Sequence, residues 1–212
     1  MSEESEQRVT RLGVLVSGSG TNLQAIIDAT QSGALEAQVA VVISNNADAY
    51  GLERARRAGI SAVWIDKTAY ATFSEYNMAI KDELCAHGVD IVVMAGYMRL
   101  LGSEVLDWFE NRVVNIHPSL LPSFPGASGI DDAFEHGVKV TGVTIHLANE
   151  NFDEGPIIAQ RTVIIEPDDT LESLEARVHE VEHTLYPEAL QLLVEGRVVI
   201  EGRKTVILPN RV

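Results

Sequence analysis

Short apolar runs alternate with stretches of helical spacing along the first half of this chain, and that alternation restricts it to one broad architecture. Arg11-Leu-Gly-Val-Leu-Val-Ser17 is a continuous apolar run, Gly18-Ser-Gly-Thr-Asn22 a glycine turn, and Leu23-Gln-Ala-Ile-Ile-Asp28 an amphipathic helix segment. The unit then repeats. Val39–Ile43 reads as a strand, Tyr50–Ala58 as a helix ending at Gly59, Ala62–Ile65 as a strand, and Phe73–His87 as a helix closed by Gly88. Asp90–Ala95 is the most apolar run and is expected at the centre of the sheet. Strands joined by helices return to the same edge and pair in parallel.

The second half breaks that rhythm. Val113–His117 is a strand ended by Pro118, followed by a proline- and glycine-rich loop to Gly129 and a short helix Ile130–Glu135. Val140–Leu147 and Ile157–Ile165 are strands whose connection, Ala148–Pro156, is too short for a crossover helix, so the two should pair antiparallel. Leu171–Val194 is a long helix containing Pro187, and Arg197–Leu208 a terminal hairpin turning at Glu201-Gly202. The expected fold class is α/β, a doubly wound sheet that is parallel in its N-terminal half and partly antiparallel in its C-terminal half. Residues 1–10 are expected to form a disordered tail and residues 11–212 a single domain.

Charge limits the partners. The chain carries 16 Lys+Arg against 31 Asp+Glu, a formal charge of -15, which argues against general binding to nucleic acid or anionic lipid. An anionic ligand must therefore be held by local devices such as helix N-termini or individual cations. No apolar run approaches membrane-spanning length, and Met1–Gln7 lacks the layout of a signal peptide. Cys85 is the single cysteine, which rules out an internal disulfide and fits a reducing, cytoplasmic setting.

Asn115 and His117 carry the chemistry. They sit two residues apart on one face of a strand that ends where a parallel sheet offers its carboxyl edge to ligands. An amide NH2 can donate to an oxygen becoming negative, and an imidazole can move a proton, a pairing suited to acyl-type transfer. Backbone amides at Gly20, Thr21 and Asn22 open a helix and can hold a phosphate, although a plain turn with Thr21 or Asn22 as N-cap explains the same residues. Met98-Arg-Leu-Leu101 suits an apolar slot, or equally a loop packed on the core. Asp153, in Asn149-Glu-Asn-Phe-Asp-Glu-Gly-Pro156, would favour the charged form of His117 if brought beside it, and is otherwise a turn residue. His179-Glu-Val-Glu-His183 matches the H-E-x-x-H pattern of zinc hydrolases, with Glu201 of the terminal hairpin as a proposable third ligand; a chance match on an acidic helix is the expectation, and with it no metal.

Taken together, Gly18-Ser-Gly-Thr-Asn-Leu23, Ala95-Gly-Tyr-Met-Arg-Leu-Leu101, Asn115-Ile-His-Pro-Ser-Leu-Leu-Pro122, Phe124-Pro-Gly126 and Asp153-x-Gly-Pro156 resemble phosphoribosylglycinamide formyltransferase over essentially the whole domain. The resemblance implies a formyltransferase-like sheet and transfer of a formyl group from 10-formyltetrahydrofolate, as cosubstrate, to the amine of phosphoribosylglycinamide in purine synthesis. It implies Asn115 as oxyanion donor, His117 as proton-transfer residue and Asp153 as the carboxylate that favours the charged imidazole. It places Gly20, Thr21 and Asn22 at the substrate phosphate, Glu182 near the ribose, and Met98, Arg99, Leu100 and Leu101 with Asn115 around the folate. Two positions depart from the pattern: Phe73 replaces an arginine that contacts folate, and Ser128 replaces a histidine. Methionyl-tRNA formyltransferase and formyltetrahydrofolate hydrolase share the catalytic residues but carry a further domain that these 212 residues do not include. A non-catalytic folate- or phosphate-binding protein is the remaining class. The expected partners are small molecules, with no nucleic acid and no membrane, and the chain is expected to be a monomer or a homodimer.

Overall fold

The computed structural model describes residues 8–210. Its main sheet has seven strands in the order β3-β2-β1-β4-β5-β6-β7. These are β1 (Thr10–Val16), β2 (Ala37–Ser44), β3 (Ser61–Trp64), β4 (Ile91–Met94), β5 (Val113–His117), β6 (Val140–Leu147) and β7 (Ile157–Ile164). Pairing is parallel from β3 through β5 and antiparallel from β5 through β7, so the expected change of direction is present. The Asp90–Ala95 run does provide the middle strand, β4. Met1–Gln7 of the expected tail lie outside the described residues, and Thr10 already belongs to β1, so the domain begins before Arg11.

The helices α1 (Thr21–Ser32), α2 (Tyr50–Arg57), α3 (Phe73–Ala86), α4 (Ser103–Leu106), α5 (Gly129–His136) and α6 (Leu171–Val194) cover the sheet, and β8 (Val198–Glu201) with β9 (Lys204–Ile207) form the terminal hairpin. Alternation of side chains across the strands divides the core in two. On one face Leu12, Val14, Val93 and Ile145 meet Ile26 of α1 and Leu190 of α6; on the other Leu15, Val41, Val92 and Val113 meet Ile80 of α3 and Val105 of α4. The short helix α4 had no sequence signal of its own.

Helix ends follow the local chemistry. Thr72 and Glu75 close a capping box at the start of α3, and Thr170 with Ser173 does the same for α6, so each helix satisfies amides that have no partner inside it. The 24-residue α6 continues through Pro187 as one helix. Its fully buried Tyr186 places a hydroxyl 3.0 Å from the carbonyl oxygens of both Met94 and Val114, tying the helix to the ends of β4 and β5. That anchor lies one residue before Asn115.

Candidate active site

The chain runs outward from β1 to β2 and β3, then crosses to β4 on the other side of β1. The carboxyl ends of β1 and β4 therefore diverge and leave a crevice, the usual ligand position in an open α/β sheet. Ser17, just past β1, ties the crevice together: its amide donates to the Gly96 carbonyl at 3.1 Å, its hydroxyl donates to Asn45 Oδ1 at 2.6 Å, and it accepts from the Met98 amide at 2.9 Å.

The glycine loop lies at one end of this crevice. Gly20 is the N-cap of α1 at φ 69°, and a Cβ there would lie 2.7 Å from Gly51 Cα, so only glycine fits between the loop and α2. The cap is thus backbone geometry, and neither Thr21 nor Asn22 plays the side-chain capping role. The first bonded amide is that of Gln24, to the Gly20 carbonyl at 3.0 Å. The amides of Thr21, Asn22 and Leu23 precede it and have no carbonyl within the helix, an arrangement that suits a phosphate. Asn22 turns its amide to Glu182 Oε2 at 3.0 Å instead. Glu182 is 4% exposed and also accepts from His179 Nδ1 at 2.8 Å, which raises the His179 pKa above its ordinary value. This cleft has a volume of about 320 Å³ and includes Gly20, Thr21, Asn22, Met98, His179 and Glu182 among its lining residues.

Asn115 and His117 meet Asp153 on the other side of β5. The Asp153 side chain is 1% exposed; its Oδ2 lies 3.4 Å from His117 Nδ1 and its Oδ1 3.5 Å from Asn115 Nδ2. The Asp153 backbone takes φ 54°, in the left-handed region. His117 Nε2 donates to the Phe124 carbonyl at 2.7 Å, so both ring nitrogens face acceptors. Burial pushes the Asp153 carboxyl upward. The hydrogen bond with His146, the Gly126 amide at 2.8 Å and the charge of His117 outweigh burial and hold it below the usual carboxylate range.

His146 is the site residue that the sequence did not disclose. It faces Asn115 across the β5–β6 pair, next to a register shift at Ile145/His146, and its Nε2 lies 3.1 Å from Asn115 Nδ2 and 3.6 Å from Asp153 Oδ1. Its signal was present but thin: a histidine near the end of the strand that leads into the Asp153 loop.

The stretch from Met98 to Leu101 does not act as one unit. Arg99, Leu100 and Leu101 line a narrow slot of about 30 Å³ with Asn115, His146 and Asp153, whereas Met98 faces the glycine-loop cleft. Phe73 begins α3 half exposed and lines neither cleft. Ser128 is the exposed N-cap of α5, with no side-chain capping bond, beside Gly129, whose Cβ position would lie 3.1 Å from His117 Nε2. In the H-E-x-x-H segment His179 is engaged by Glu182 while His183 faces a separate cleft with Thr21, Gln24 and Arg54, and Glu201 ends β8. Among the described residues no group of three His, Cys, Asp or Glu is arranged to hold a metal.

The turn behind Asp153 is tightly fitted. A Cβ on Gly155 would lie 1.7 Å from the Leu147 carbonyl oxygen, so Gly155→Ala must displace the loop. The expected cost is about 3 kcal/mol, read as a lower urea midpoint together with reduced turnover as Asp153 leaves His117. An unchanged midpoint would contradict this placement.

The formyl transferase family model matches residues 10–190, which include the glycine loop, Asn115, His117, Asp153 and Glu182. The chain belongs to the formyl transferase family. Among relatives of this formyl transferase, the phosphoribosylglycinamide formyltransferase of Haemophilus influenzae is 45% identical over 188 residues, 88% of each chain. The crystal structure of glycinamide ribonucleotide transformylase 1 from Symbiobacterium toebii superposes with a TM-score of 0.94 at 52% identity, covering 96% of both chains. The trifunctional purine biosynthetic protein adenosine-3 of Chironomus tentans is 44% identical over 195 residues, but the chain spans only 14% of its length. Among the described residues no helix is long and apolar enough to cross a membrane.

Proposed function

We propose that this formyl transferase moves the formyl group of 10-formyltetrahydrofolate to the amine of phosphoribosylglycinamide, without a metal and in a cytoplasmic setting. The observation that carries the proposal is one buried carboxylate, Asp153, placed against both His117 and Asn115 and lining the slot of Arg99, Leu100 and Leu101. The cleft of Gly20, Thr21, Asn22 and Glu182 suits the phosphoribosyl end of the nucleotide. The slot of Arg99, Leu100 and Leu101 suits the pterin. Leu100 and Phe152, each about half exposed, also line that slot.

In this arrangement the amine attacks the formyl carbon and the carbonyl oxygen becomes negative. Asn115 donates an amide hydrogen to that oxygen. His117, held 3.4 Å from the Asp153 carboxylate, moves the proton that passes from the attacking amine toward the departing folate nitrogen. Carbon–nitrogen bond formation to the nucleotide and cleavage from the folate then balance without any oxidant or reductant.

The test is a turnover assay with purified protein and both substrates, following the appearance of tetrahydrofolate. Product formation that requires the nucleotide supports the proposal, and its absence refutes it. Protein purified without added metal is expected to contain substoichiometric zinc and to keep its activity in a chelator. One tightly held zinc per chain would restore the hydrolase reading of His179-Glu-Val-Glu-His183.

A further inference from the structure

The loop after β5 delivers two groups to the site: the Phe124 carbonyl accepts from His117 Nε2 at 2.7 Å, and the Gly126 amide donates to Asp153 Oδ2 at 2.8 Å. Phe124 holds that position at φ 52°, in the left-handed region that costs a non-glycine residue, so the loop needs anchors from outside itself. The two antiparallel strands supply them. Leu120 lies over β6 at Gly142, where a Cβ would come within 2.7 Å of Leu120 Cδ2. The Leu121 amide donates to Thr144 Oγ1 at 3.1 Å, and Gln160 on β7 places its Nε2 2.9 Å from both the Leu121 carbonyl and Thr144 Oγ1. The Leu121 carbonyl can only accept, so the Gln160 atom facing it is the amide nitrogen, which has a hydrogen for each partner. Thr144 then has both lone pairs occupied, by Leu121 and Gln160, and its one hydrogen is committed to the Ser119 carbonyl at 2.7 Å. Ser119 is fully buried, and its hydroxyl donates to the Ser123 carbonyl at 2.6 Å while lying 3.2 Å from the Phe124 carbonyl.

We propose that Gln160 is a positioning residue for formyl transfer: from the edge strand it fixes the Leu121 carbonyl and the direction of the Thr144 hydroxyl, and through Ser119 it sets the Phe124 carbonyl against His117. The inference rests on His117 as the group that moves the proton. Gln160 lines neither the glycine-loop cleft nor the slot of Arg99, Leu100 and Leu101, so its effect on the reaction passes through the loop. It is also exposed, so packing contributes little and the two hydrogen bonds are its main contribution. Without the Gln160 amide the Leu121 carbonyl loses its side-chain partner and Thr144 regains a lone pair, which frees its hydroxyl to turn away from Ser119. The Phe124 carbonyl then drifts from His117, and the Gly126 amide from Asp153.

The experiment measures kcat and KM with phosphoribosylglycinamide and 10-formyltetrahydrofolate for wild type, Gln160→Met and Gln160→Glu, together with the urea midpoint of each. Methionine keeps the length of the side chain and removes both donors; glutamate, ionised at neutral pH, turns acceptors toward the Leu121 carbonyl. Gln160→Met is expected to lower kcat by roughly three- to tenfold, the scale of one or two neutral hydrogen bonds, and Gln160→Glu by more. The KM for the nucleotide should stay at the wild-type value in both, because Gly20, Thr21, Asn22 and Glu182 lie outside this network. A merely structural role would instead lower the urea midpoint and leave kcat unchanged. That outcome, wild-type kcat in both variants, or a loss confined to the nucleotide KM would overturn the positioning role alone. Wild-type protein that transfers no formyl group would overturn the reaction reading and this inference with it.

Discussion

Turnover at saturating nucleotide and folate is expected to fall by about 100-fold or more in Asn115→Ala and again in His117→Ala, the scale typical of losing an oxyanion donor or a proton shuttle. The two variants differ in their structural cost. Asn115 is only partly buried, and its removal leaves His146 with its bond to the Leu147 carbonyl. His117 is 3% exposed, and its removal takes one partner each from Asp153 and the Phe124 carbonyl. Asp153 still accepts from Gly126 and Phe124 from Ser119, so a loss of about 1–3 kcal/mol should leave the protein folded at room temperature. Both rates are to be measured on protein whose circular dichroism matches wild type. Near wild-type turnover in either variant would sink the assignment.

Asp153→Asn should lower turnover by roughly tenfold or more, because an amide cannot supply negative charge to His117. It also carries a pH signature. The folded carboxyl lies below its ordinary range, so its contribution to stability is present above the unfolded value and is lost as pH falls through the folded one. The stability difference between wild type and Asp153→Asn should therefore hold at neutral pH and shrink below about pH 4. A difference that stays constant into acid would mean that Asp153 is only a turn residue.

Local pattern carried most of the fold. Apolar runs, glycine turns and helical spacing located the strands and the long helices, and the short Ala148–Pro156 link determined the antiparallel pair. What escaped depended on contacts between distant segments. His146 reaches Asn115 only through the β5–β6 register and the irregularity beside it, neither of which leaves a trace in residue spacing. Met98 and Leu101 part company because the Ser17 hydroxyl fixes the Met98 amide, a contact across 81 positions. The cap of α1 escaped because it comes from a left-handed Gly20 wedged against Gly51, while Asn22, a good capping residue by type, is drawn away to Glu182 on α6. The juxtaposition of Asn115 and His117 was legible because they share one strand face, while Asp153, a plain turn residue by its local sequence, was singled out only by the resemblance and is found beside both.

The most direct test follows the formyl carbon itself. With 10-formyltetrahydrofolate labelled at that carbon and unlabelled phosphoribosylglycinamide, carbon NMR should show the label moving into an amide of the nucleotide, with none released as formate beyond the uncatalysed background. Label that appears as formate, at a rate indifferent to the nucleotide, would contradict transfer and make the protein a hydrolase.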